Sequence, residues 1–187
     1  MNKPNIICLT NNKGGVSKTT TTINLGYGLA RAGYKTLIID ADPQSNTTLV
    51  ILQNMYKDTE GTLYDIFFNR RQVKDIIVPS RQENLDIAPG SIALTNSDVA
   101  LAQANAREFL LKKAMQGLDG YDFIIIDTNP NIGLITLNSW IASSSIIIPV
   151  ECALFALVGM DTLINAIDII RRDFDITLPI LGVLATK

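Results

Sequence analysis

The stretch K-G-G-V-S-K-T-T, residues Lys13 to Thr20, decides the fold of this chain. It follows a short apolar run, Ile6–Leu9, and precedes a segment of helical character. A strand, a glycine-bearing turn and a helix in that order make a cradle for phosphate, because backbone N–H groups and the positive end of the helix converge on an anion. Lys18 followed by Thr19 supplies an ammonium for β- and γ-phosphates and a hydroxyl for Mg²⁺. The residues expected to hold a magnesium-bound nucleoside triphosphate are Lys13, Gly14, Gly15, Val16, Ser17, Lys18, Thr19 and Thr20. Lys13 is one ammonium more than such a turn needs. It lies ahead of the loop and is therefore placed to serve something other than its own nucleotide.

Outward from this loop, short apolar runs alternate with helical patterns. The strand candidates are Asn5–Thr10, Lys35–Asp40, Asn84–Ala88, Phe123–Asp127, Ser145–Val150 and Ile180–Ala185. They carry Ile, Leu and Val on both faces, the mark of strands covered on both sides. Leu157, Met160, Leu163, Ile164, Ile167 and Ile170 form one helical stripe, with Asp161, Asn165, Asp168 and Arg172 opposite. A second long helix is predicted over Ser97–Leu118 and a short one near Thr62–Phe68. Alternation of this kind predicts an α/β fold, a P-loop NTPase-like doubly wound and mostly parallel sheet with helices on both faces. Ligands then bind beyond the carboxyl ends of the strands, the edge that holds Lys13–Thr20.

The 187 residues suit one domain, residues 1–187, and the 47% hydrophobic and 18% charged content is that of a globular chain. A formal net charge of −2 offers no global attraction to nucleic acid and leaves only a local patch open. The basic residues Arg70, Arg71, Lys74 and Arg81 in the irregular segment Leu49–Arg81 read as a solvated face. There is no histidine, which argues against zinc sites and imidazole acid–base chemistry. Cys8 and Cys152 sit in apolar surroundings and read as buried reduced thiols. No signal peptide is evident, so the expected location is cytoplasmic. The stretch Trp140–Met160 imitates a membrane span. Pro149 and Glu151 fall at its centre, however, Ile146–Ile148 reads as a buried strand, and Leu154 onward reads as a helix.

Three features accompany the loop. Asp127 closes the apolar run Phe123–Ile126, the pattern of a second Mg²⁺ element, although a strand-end aspartate is the plainer alternative. Asp40-Ala41-Asp42-Pro43-Gln44 ends the second strand and is expected to bring two carboxylates to the phosphate edge, where one orients water or holds hydrated Mg²⁺; a turn is the plainer alternative. Thr128-Asn129-Pro130-Asn131-Ile132-Gly133 follows Asp127, either as a loop with discrete shapes or as a simple connection.

Together these motifs resemble the ParA family of partitioning ATPases, in the deviant Walker-A branch that includes MinD. The resemblance continues through G-L-I-T-L-N-S-W and I-I-I-P-V-E-C-A-L-F-A-L-V-G-M and covers essentially the whole chain. It implies that the bound nucleotide is ATP and that the chain is a slow Mg²⁺-dependent ATPase with catalytic Lys13, Lys18 and Asp42 and metal-site residues Thr19, Asp42 and Asp127. Lys13 would reach across a sandwich homodimer to the partner's nucleotide, and Asp42 would position the hydrolytic water. The implied partners are a second copy, non-specific DNA and a ParB-like centromere-binding adaptor, with nucleoid association in the ATP state and no membrane. Two alternatives share the resemblance: a non-hydrolysing nucleotide-binding regulator, and a MinD/McdA-like switch that positions a protein cargo.

Three departures set further expectations. Ser17 stands where the family has glycine, and a positive φ there would cost about 1–2 kcal/mol. Asn129 replaces a common proline, which would loosen the loop. The chain ends at Ala185-Thr186-Lys187, on the last strand candidate, whereas family members continue with helices. Truncation at the C-terminus is the expectation, with part of the adenine pocket and much of the DNA surface lying beyond.

Overall fold

A computed structural model of the chain describes residues 3–152 and 156–186. Seven strands, β1 (Asn5–Leu9), β2 (Thr36–Ala41), β3 (Val78–Pro79), β4 (Leu85–Ala88), β5 (Phe123–Thr128), β6 (Ser145–Glu151) and β7 (Ile180–Thr186), form one sheet. Their order is β3-β4-β2-β5-β1-β6-β7. Every pairing is parallel except that of β3 with β4. The helices are α1 (Lys18–Arg31), α2 (Asn46–Leu52), α3 (Leu63–Phe68), α4 (Ser97–Ala100), α5 (Leu110–Ala114), α6 (Leu134–Ala142) and α7 (Ala156–Asp173).

The two-residue alternation of the strands explains the layers. Ile7, Leu9, Ile38 and Ile125 share one buried cluster with Ala30 of α1 and Ile51 and Leu52 of α2. Their neighbours Cys8, Leu37, Ile39, Ile124 and Ile126 belong to the opposite cluster, with Phe67, Leu111, Trp140 and Leu163. Helices thus cover both faces of the sheet, and the apolar runs satisfy two interfaces at once. Gly26 lets α1 approach closely, since a Cβ there would lie 2.5 Å from Ile38 Cδ1. On α7, Leu163 and Ile167 are buried while Asp161, Asn165, Asp168 and Arg172 are exposed. Leu154, Phe155 and the Leu157 side chain lie outside the described residues.

Three expectations need correction, and a fourth, that the membrane-like stretch is strand and helix, agrees with the structure. The single helix over Ser97–Leu118 is instead α4, an irregular turn and α5. Buried Asn138 on α6 causes the break: its Oδ1 accepts Leu111 N at 3.1 Å and its Nδ2 donates to Arg107 O at 2.9 Å. Tertiary hydrogen bonds there replace helical ones, and Ala106 adopts a left-handed φ of 50°. The antiparallel edge strand β3 lies within the irregular segment. Cys8 is buried and its thiol is pushed well above the usual range, mainly by burial, but Cys152 is exposed. The membrane-like stretch divides among α6, β6 and α7, and no helix among the described residues is long and apolar enough to cross a membrane.

Candidate active site

β1 lies between β5 and β6, so its carboxyl end is flanked by two different crossovers, the place where a doubly wound sheet opens a crevice. The loop after β1 turns sharply to start α1. Gly15 has φ 76° and Ser17 has φ 65°; both suit a residue without Cβ, and only the first position has one. Ser17 makes no side-chain cap to α1. A cleft of about 430 Å³ opens over this loop, lined by Gly14, Gly15, Ser17, Lys18, Thr19, Thr20, Asp42, Gln44, Asn46 and Pro130. Val16 is buried beneath it.

Lys18 is buried at the first position of α1, and its ammonium donates to Lys13 O at 3.1 Å. Burial lowers its proton affinity, while the nearby Asp127 and Asp42 carboxylates act in the opposite sense. Such a cation, short of hydrogen-bond acceptors, is prepared for an anionic ligand. Lys13 points elsewhere. Its half-exposed side chain pairs with Glu151 Oε2 on β6 at 3.4 Å, and it does not line the cleft. Asn11, which the sequence reading passed over, holds the base of the loop: its Oδ1 accepts Lys13 N at 2.9 Å and its Nδ2 donates to Pro149 O at 2.7 Å.

Asp127 sits at the end of β5, register-paired with both Leu9 and Asp40, and is fully buried. Thr19 Oγ1 donates to its Oδ2 at 2.8 Å, and Thr47 Oγ1 donates to the same oxygen at 2.6 Å. Its Oδ1 is buried without a partner. Burial raises the Asp127 pKa, and the Thr47 and Thr19 hydroxyls counter that rise. An orphaned buried carboxylate oxygen beside a threonine hydroxyl fits a hydrated hard cation. Among the described residues no three acidic, cysteine or histidine side chains are placed to hold a metal ion together, so a divalent ion here would depend on hydroxyl, phosphate and water oxygens. That is the ligand set Mg²⁺ favours.

The expectation that Asp40 and Asp42 together face the phosphate edge is corrected. Asp40 lies on the strand, fully buried, on the same face as Asp127. Its Oδ2 accepts both Thr48 N at 2.8 Å and Thr48 Oγ1 at 2.6 Å, which seats α2 on the sheet. Burial, with the Asp127 charge, pushes its pKa to about 7. Asp42 lies one residue past β2, lines the cleft, and accepts Gln44 N at 2.9 Å. Asn129 is not free either: the Thr136 hydroxyl of α6 lies 2.9 Å from its Oδ1 and 2.6 Å from Asn131 O, so one proton serves both acceptors, and proline would offer no such side-chain oxygen.

A family profile described as an AAA domain matches residues 4–180. The chain is 42% identical over 182 residues to the sporulation initiation inhibitor protein Soj of Bacillus subtilis, covering 97% of this chain and 72% of that protein. It is 40% identical over 184 residues to the chromosome partitioning protein ParA of Myxococcus xanthus, covering 97% of this chain and 64% of the relative. Among solved structures, cobyrinic acid a,c-diamide synthase from Mycobacterium smegmatis with bound ADP and magnesium superposes with a TM-score of 0.90 at 28% identity, over 98% of this chain and 74% of that one.

Proposed function

The chain belongs to the Soj/ParA family of partitioning P-loop ATPases, and on that premise we propose that it is a magnesium-dependent, ATP-hydrolysing switch for DNA partition. The observation that carries this reading is the meeting of Lys18, Thr19 and Asp127 at the carboxyl ends of β1 and β5, with Asp127 Oδ1 left buried and unpartnered. Lys18 would exchange the Lys13 carbonyl for phosphate oxygens. Thr19 can offer a hydroxyl lone pair to Mg²⁺ while still donating to Asp127, and Asp127 would act on the metal through water. Bound Mg²⁺ would neutralise charge on the β- and γ-phosphate oxygens. Asp42 lines the same cleft and would orient the attacking water.

Lys13 belongs to a different part of the same reading. Its side chain leaves its own cleft, as suits a lysine that serves the nucleotide of a second copy in an ATP-closed dimer. Binding of non-specific DNA by that dimer, and stimulation of hydrolysis by a ParB-like adaptor, follow from kinship with Soj and ParA.

Phosphate release from ATP, measured with and without Mg²⁺, DNA and adaptor, tests the proposal. Slow Mg²⁺-dependent release, accelerated by DNA and adaptor together and lost in Lys18→Ala, is expected. Tight ATP binding with no release under any condition would favour a non-hydrolysing regulator, a reading to which the left-handed Ser17 lends its only structural support.

A further inference from the structure

We propose that Thr47 is a positioning residue for the magnesium site, an inference that rests on the MgATP reading above. Two hydroxyl donors meet on Asp127. Thr47 Oγ1 at 2.6 Å and Thr19 Oγ1 at 2.8 Å both reach Oδ2, and neither reaches Oδ1. The torsion that turns a carboxylate is broad, so a single donor leaves the direction of the second oxygen loosely set. Two donors from separate elements, Thr19 on α1 and Thr47 on α2, fill the lone pairs of one oxygen and present the other. That other oxygen, Oδ1, is buried and without a partner.

The two threonines have different tasks. Thr19 lines the cleft and has its own lone pair to give to the metal. Thr47 is fully buried and does not line the cleft, so it can act only through Asp127. Its neighbour completes the device. Thr48 donates to Asp40, the register partner of Asp127, and accepts Gly90 N at 2.9 Å. The first turn of α2 is thereby pinned to β2 and β5 at once. Because α2 begins four residues after Asp42, the same turn ties the water-orienting carboxylate to the metal carboxylate. Partners of direct ligands typically change metal affinity by about 10–100-fold when removed, and Thr47, which acts on a carboxylate that meets the metal through water, belongs at the lower end of that range.

The test compares Thr47→Val, which keeps the shape and removes the hydroxyl, with Thr47→Ser, which keeps the hydroxyl. The probe is Mn²⁺, titrated by electron paramagnetic resonance into the full chain loaded with a non-hydrolysable ATP analogue. ATP affinity in chelator is measured alongside. Thr47→Val is expected to weaken Mn²⁺ binding by about tenfold, Thr47→Ser to restore it, and both to keep metal-free ATP affinity. Thr47→Ala carries the same comparison if the valine variant does not fold. Native Mn²⁺ affinity in Thr47→Val, or a serine variant as weak as the valine one, would overturn the inference alone. Failure of the native chain to bind Mn²⁺ with nucleotide would instead overturn the MgATP reading, and the inference with it.

Discussion

At the scale of single residues, the phosphate loop carries its own strain. Ser17 holds φ 65° where the side chain gains no cap in return. A left-handed L-residue costs about 1–2 kcal/mol, part of which glycine gives back through its greater freedom in the unfolded chain. Ser17→Gly is therefore expected to stabilise the metal-free protein by up to about 1 kcal/mol, a rise in melting temperature of about 2–4 °C. An unchanged or lower melting temperature would mean that the loop accepts serine without cost. Asp40 supplies a pH dependence. Its pKa is about 7 in the folded protein, against an ordinary 3.8. Between these values the folded state binds more protons than the unfolded one, so stability falls as pH rises from about 4 to about 7. Asp127, raised by the same burial, acts in the same direction. Urea midpoints of Asp40→Asn across this window should show a flatter decline than those of the native protein, and an identical slope would contradict the assignment. Residue types at Lys18, Thr19 and Asp127 pointed to one phosphate and metal site, and the structure brings the three together. Thr47 and Asp40 did not, because nothing local in a pair of threonines or in D-A-D-P reveals which strand's carboxylate they will meet.

At the scale of elements, strands were far more legible than helices. β1, β2, β5 and β6 are covered on both faces, and continuous apolar runs of four to seven residues admit few other readings. β3 escaped notice because it is two residues long and contains Pro79 at the sheet edge. The segment from Ser97 to Leu118 misled for a different reason. Its alanines and leucines favour a helix locally, but Asn138 on a distant helix claims the backbone at Arg107 and Leu111. Asn138→Leu should strand buried Leu111 N and Arg107 O and cost about 2–4 kcal/mol, read as a lower denaturant midpoint. Stability unchanged from the native protein would show that this asparagine does not hold the break. The loop 128–133 shows the same dependence on partners, since Thr136 tethers Asn129 and Asp98 accepts Leu134 N at 2.7 Å.

At the scale of the whole molecule, the sheet order places three sequence-distant segments on one edge: the loop after β1, Asp42 beyond β2, and Asp127 on β5. Alternation of strands and helices predicted that edge. The sequence could not say which way the Lys13 side chain turns, because its ion partner Glu151 is 138 residues away. This geometry separates the two lysines. Lys13→Ala should leave ATP binding by the single chain near native and weaken ATP-dependent dimerisation, followed by sedimentation velocity with a non-hydrolysable analogue. A variant that dimerises like the native protein would contradict the cross-subunit role.

The most direct measurement is a crystal structure of the chain with Mg²⁺ and a non-hydrolysable ATP analogue. The triphosphate is expected in the cleft above Gly14–Thr20, with Lys18 Nζ transferred from the Lys13 carbonyl to phosphate oxygens and Mg²⁺ on the Thr19 hydroxyl with a bound water facing Asp127 Oδ1. Nucleotide seated elsewhere, or Lys18 still on the Lys13 carbonyl with no metal beside Thr19, would contradict the MgATP reading.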